Sequence, residues 1–186
     1  ITAKGGIHIG GAELLSGRGI VSAPIAAETG STIAATGDLT LGSSLALDGF
    51  FSNGRLKIDE HTVTIEDANE AVLGSLTTLG TDVADGTLNA PNGIFLAEGK
   101  NLQGRGIIGK AGAANGEFHN DGHVISTAVI DFKHPVTGIG DFEGNIVFSG
   151  GSDFGHSPIK TDIDGNAPFG TNNLHTLEIE GSPPPH

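Results

Sequence analysis

The sequence predicts a right-handed parallel β-helix, a β-solenoid wound in coils of about 20 residues. Three observations lead there. Apolar residues alternate with polar ones in short runs, glycine-containing corner pairs punctuate those runs, and one long segment recurs without gaps 87 residues later.

The alternation is widespread. Leu39, Leu41, Leu45 and Leu47 form one run, Leu56, Ile58, Val63 and Ile65 another, and Ile163, Leu177 and Ile179 continue the style near the end. A period of two marks half-buried strands of three to six residues. Between the runs stand Gly37-Asp38, Asp48-Gly49, Asn53-Gly54, Asn92-Gly93, Asp121-Gly122 and Asp164-Gly165. Such pairs tolerate the left-handed backbone of sharp corners. The segment 65–76, IEDANEAVLGSL, reads equally as a short helix, a loop excursion or one more coil.

The repeat sets ITAKGGIHIGGAELLSGRGIV on LNAPNGIFLAEGKNLQGRGII. Ile7 falls on Ile94, Leu15 on Leu102, and Gly17-Arg18-Gly19-Ile20 on Gly104-Arg105-Gly106-Ile107. Beyond Val21 and Ile108 the alignment slips by one or two residues, as corner insertions produce. A long period made of short strands and glycine corners is the mark of a solenoid. Eight or nine coils would use up the 186 residues as one domain, with 181–186 as a proline-rich end. Alternate side chains would point inward and stack on those of the next coil. Phe50, Phe51, Phe142, Phe148, Phe154 and Phe169 are expected among the core stackers, and an exposed ring among them would mark an interface.

Composition bounds the function. Glycine (31) and proline (8) make about a fifth of the chain, yet 37% of residues are hydrophobic, enough to bury a continuous core. Cysteine is absent, which excludes disulfides and thiolate chemistry. With 9 basic against 22 acidic residues the formal charge is −13, and nucleic acid is not an expected partner. No apolar run is long enough to form a membrane-spanning helix.

The segments LLSGRGIV, NLQGRGII and GEFHNDGHVIST resemble the β-helical repeats of bacterial autotransporter passengers and of secreted surface proteins with PEP-CTERM sorting tails. The stretch from Phe148 to His186 is similar to that group's "PGxSPG-strand-Gly-strand-LEIE-Gly" segment through Gly155, Ser157, Pro158, Gly165, Leu177, Glu178, Ile179, Glu180 and Gly181. Phe154 and Ile159 depart from it, standing where the group has Pro and Gly. The resemblance implies secretion, a place on the bacterial surface or in its matrix, and a part of a longer polypeptide.

Candidate chemistry was weighed in four groups. The acid clusters are Asp59-Glu60, Glu66-Asp67, Asp82/Asp85 and Asp162/Asp164. Glycoside hydrolysis needs two carboxylates about 5–10 Å apart in a cleft, commonly beside Trp or Tyr platforms that this chain lacks. Arg18, Arg55 and Arg105 are its only arginines, and Arg18 and Arg105 are repeat-equivalent. The histidines are His8, His61, His119, His123, His134, His156, His175 and His186. His119 and His123 flank Asp121, but across a strand corner their side chains diverge, so solvated corner histidines are expected rather than metal ligands. Asp162, Asp164 and Asn166 begin like a calcium loop without its remaining ligands, leaving a weak Ca²⁺ site or an Asp-Gly turn. Thr62-Val-Thr64 and Thr77-Thr78 do not recur once per coil, which makes an ice-ordering threonine ladder a remote third reading.

The expectation is therefore a non-enzymatic structural or adhesion module that self-associates end to end. Ile1 and the Pro183, Pro184, Pro185 end are its candidate junctions. A glycan-binding β-helix or a polysaccharide-degrading enzyme is the alternative.

Overall fold

The computed structural model describes residues 5–46, 49–110 and 116–150, and the backbone of strand Ile163–Asp164. Every regular element among them is a strand, and all strand pairings are parallel; the one antiparallel contact is an isolated bridge between Ala23 and Gly42. Residues next to each other across a ladder are roughly 22 positions apart in sequence, over about 6 turns. The step varies from 16 residues, between Ile130 and Ile146, to 25 residues, between Ile25 and Phe50. The fold is thus a parallel β-helix, as the alternation and the repeat predict.

Each coil lays one short strand in a first sheet and two runs in a second. The first sheet stacks Ile7–Ile9, Ile25–Ala27, Phe50–Ser52, Ala71–Val72, Ile94–Leu96, Phe118–Asn120 and Val136–Thr137. The second sheet is continuous because four long strands, Leu14–Ser22, Thr32–Ser43, Asn101–Ile108 and His123–Phe132, run through both of its halves. In other coils the halves are separate strands, as in Arg55–Asp59 and Thr62–Asp67.

Inward side chains form rows. One row is Leu15, Ile33, Leu56, Thr77, Leu102, Val124 and Phe142. A second is Leu39, Val63, Leu88, Ile108, Phe132 and Phe148. Volumes compensate between coils: Phe50 is followed by Ala71 at the head of the first-sheet strands. Toward the later coils the core turns aromatic, with Phe132 against Phe118, Phe142 and Phe148 at ring separations of 4.8, 5.7 and 5.7 Å.

Corners satisfy their own polar groups. The Ser31 hydroxyl donates to the Glu28 carbonyl, and Ser75 donates to the Gly54 carbonyl. Asn120 accepts from the Gly122 amide and donates to the Asp141 carbonyl of the next coil. Backbone pairing also continues around the corners, as from Ile25 to Gly49, Ala71 to Gly93 and Ile94 to Glu117. These bonds give corner amides and carbonyls the partners that a buried turn requires.

The Gly-Arg-Gly motif marks the bend between the two halves of the second sheet. Pairing registers shift there, between Gly17 and Gly19 and between Gly104 and Gly106. Gly104 has φ of +129°, and a Cβ there would collide with the Leu79 carbonyl, so only glycine fits. The 87-residue repeat superposes coils up to this point and then parts. Val21 reaches Ile65 through Leu41, whereas Ile108 reaches Val63 through Leu88, two positions earlier. The slip thus falls inside the motif rather than after it.

Several expectations are corrected. Segment 65–76 contains no helix; it is the end of Thr62–Asp67, a corner, strand Ala71–Val72 and the start of Leu76–Leu79. Leu45 is no strand residue but sits in a turn after Ser43, 96% exposed. Of the expected core rings, Phe50, Phe142 and Phe148 are buried, while Phe51 is 43% exposed. Phe51 takes the outward position of its strand because Phe50 takes the inward one. Leu47, Phe154 and Phe169 lie outside the described residues, as do any coils beyond 150 other than the strand Ile163–Asp164.

Thr77 is the polar guest in an aliphatic row, and its buried Oγ1 has no hydrogen-bond partner. Thr77→Val keeps the shape and removes the orphaned hydroxyl, so urea unfolding should show a gain of about 1–2 kcal/mol. Leu102→Ala, one coil along the same row, should lose about 2–5 kcal/mol.

Candidate functional site

The outward positions of the first sheet form one row: His8, Ala26, Phe51, Val72, Phe95, His119 and Thr137. Its middle is apolar. Phe51, Val72 and Phe95 floor a cleft of about 270 Å³ whose wall is Asp67, Asn69 and Glu70. The row continues to His119, whose ring meets Phe95 edge-on at 5.3 Å and whose Nε2 lies 3.2 Å from Asp121 Oδ1.

The wall is held from below. Asp67 is buried, and its two carboxylate oxygens accept from the Phe50 and Asn69 amides at 2.7 and 2.8 Å. The Asn92 side chain, one coil on, donates to the Asp67 carbonyl at 2.6 Å. Glu70 lies over Gly93, where a Cβ would press within 3.2 Å of its Cγ. The corner that precedes the cleft strand is therefore fixed by a charged group with directional partners.

The sequence-derived candidates are scattered around the rod. Asp59 pairs with Lys57 at 3.1 Å. Asp85 pairs with Arg105 at 2.6 Å, and Arg105 also reaches the Asp82 carbonyl. Arg18 sits at the corresponding bend of the first coil, packed beside Gly37. His119 and His123 belong to different sheets, the first with Asp121 and the second 3.5 Å from Glu143, so they do not converge. Thr62 and Thr64 align with Thr87 and Asn89 on one side, and Thr64 aligns with Thr40 on the other, a short array that Ile20 and Ile107 interrupt. Among the described residues no group of three His, Cys, Asp or Glu side chains could hold a metal ion. Of the calcium candidates, Asp162 and Asn166 lie outside the described residues and Asp164 is described in its backbone alone; Ile1, Pro183, Pro184 and Pro185 also lie outside. Among the described residues no helix is long and apolar enough to cross a membrane.

His134, one of the eight histidines of the sequence, is buried rather than solvated. It follows a long strand, Lys133 precedes it and Pro135 follows it, so nothing local marks it as interior. Its Nδ1 bonds the Gly116 carbonyl, which accepts, so Nδ1 carries the proton and Nε2 faces the interior without a partner. The ring occupies the space above Gly109 that a Cβ would take. Burial pushes its pKa below the usual 6.5, and the bond to Gly116 opposes that in part. A lowered folded-state pKa means that the unfolded chain takes up the proton first. This contribution to stability is intact above about pH 6.5 and is lost as pH falls through the lowered value. Urea midpoints of the parent should decline as pH falls below about 6.5. His134→Asn keeps a donor for Gly116, and its decline should be shallower by the His134 share.

No protein family matches the chain, and no curated protein or solved structure matches it either.

Proposed function

We propose that the chain is a rigid structural module of an extracellular bacterial surface or matrix protein, and that its coils are extended end to end by further coils. The observation that carries this reading is the ladder. Ile7 and Leu15 head two of the inward rows as apolar residues and are only partly covered among the described residues. A coil stacked on them would bury that surface and extend the same parallel pairing, whether it belonged to the same polypeptide or to a second copy. Head-to-tail contact of this kind does not close and yields filaments.

Charge supports the same reading. At a net −13, rods repel one another at low ionic strength. Salt or Ca²⁺ screens that repulsion, so assembly should respond to cations even without a dedicated cation site. The resemblance to secreted β-helical surface proteins agrees with a place outside the cell. Phosphate-rich partners are disfavoured by the same charge.

Negative-stain electron microscopy of the natively secreted material, with and without Ca²⁺, tests the proposal. The expected images are filaments with an axial repeat at least as long as the described coils, ~30 Å at the usual strand spacing. Light scattering should show mass rising with concentration and salt. Dispersed rods that stay monomeric at every concentration and ionic strength would sink end-to-end assembly.

A further inference from the structure

We propose that the cleft over Phe51, Val72 and Phe95 binds an uncharged polysaccharide strand lying along the axis of the rod. The parallel stack sets the geometry. Phe51 and Phe95 are two coils apart on one row, with Val72 between them. At one strand spacing per coil their backbone positions stand ~9.5 Å apart, a length on the scale of a disaccharide. The row has the direction and the spacing to meet successive sugars of an extended chain.

The chemistry of the lining narrows the occupant. The floor offers ring and methyl surface, and Phe51 leaves much of its ring in water. The wall offers the carboxylate of Glu70. A ligand that fits must present flat C–H faces to the rings and hydroxyl donors to the acceptors beside them. Sugar rings combine the two. The carboxylate wall and the net charge of −13 work against acidic polysaccharides and nucleic acids. At about 270 Å³ the cleft takes a short stretch of chain, with the rest running toward His119 and Thr137. The wall needs no rearrangement to receive it, because Asp67 already fixes the Phe50 and Asn69 amides on either side. Preorganisation of that kind lowers the cost of binding.

The inference gives a ligand class to the adhesive side of the structural reading. It does not depend on assembly: a rod that never polymerises can bind, and a filament can fail to bind.

The experiment is isothermal titration of the whole chain with cellohexaose, mannohexaose and chitohexaose, with polygalacturonate and oligolysine as charged comparisons. Saturable binding of at least one neutral oligosaccharide is expected. Phe51→Ala should weaken it at least about ten-fold, and Phe51→Tyr should retain it. Phe51 is outward and part-exposed, so an unchanged melting curve for Phe51→Ala would show that the loss is not unfolding. Three outcomes would overturn the proposal: no binding of any neutral probe, Phe51→Ala binding as tightly as the parent, or oligolysine or polygalacturonate binding as tightly as the best neutral probe.

Discussion

The structure depends on one constraint, the in-register parallel stacking of each coil on the next. A parallel ladder pairs strand backbone groups only with neighbouring coils, so a coil's strand amides depend on the coils beside it. Each corner must therefore return the chain to the same lateral position one strand spacing further on, whatever its length. The steps of 16 and 25 residues between adjacent coils show how much the corners absorb. The inward rows hold while the loops between them vary. This is why Leu15 and Leu102 occupy one row, although the coils between them differ in length.

Holding the rows fixed shifts the burden to the corners. They turn sharply beside the core, where an unpaired carbonyl or amide has no water to bond. Ser31, Ser75, Asp67 and Asn120 meet that demand with side chains that bond the backbone of their own or the adjoining corner. Glycine meets it differently at Gly104, where the backbone of the preceding coil comes too close for any side chain. The exceptions are few among the described residues: Thr77, Asn89, Ser126 and His134 each bury a polar atom with no partner. Stability in such a stack is a sum of neighbouring-coil terms, so these sites weaken particular interfaces rather than the whole.

Architecture was legible in the sequence because the constraint writes itself there. Period-two alternation and Asn-Gly or Asp-Gly corners report the strand and the bend directly, and the coil length follows from their spacing. Side-chain direction was harder. Where two apolar residues adjoin, as Phe50 and Phe51 do, alternation does not say which one faces inward, and pairing with Ile25 and Ala26 decides it. Leu45 looked like a continuation of Leu39 and Leu41 because a turn can carry leucine as readily as a strand can. Segment 65–76 carried helix-like acids, but Asp67 spends its carboxylate on a corner. The repeat misled by two residues at the glycines, since sequence identity in Gly-Arg-Gly survives a change of register that the ladder records.

The cleft was illegible for a further reason, which concerns what a solenoid does to information. Catalytic and binding motifs are usually found by short spacing, because a helix or tight loop brings close residues together. Here contiguity in space comes from residues one coil apart. Phe51, Val72, Phe95 and His119 are neighbours on the surface, yet no window shorter than a coil holds two of them. Carboxylate pairs, histidine pairs and calcium loops are spacings along the chain and do not report a row of this kind. The reading that suits this fold runs across the coils: the register is fixed first from the inward rows, and each outward row is then read as if it were a sequence. Read that way, the first sheet spells His8, Ala26, Phe51, Val72, Phe95, His119, Thr137, an apolar stretch with polar ends. A row that adds one residue per coil matches a ligand that is itself extended and periodic, which is the ground for proposing a polysaccharide.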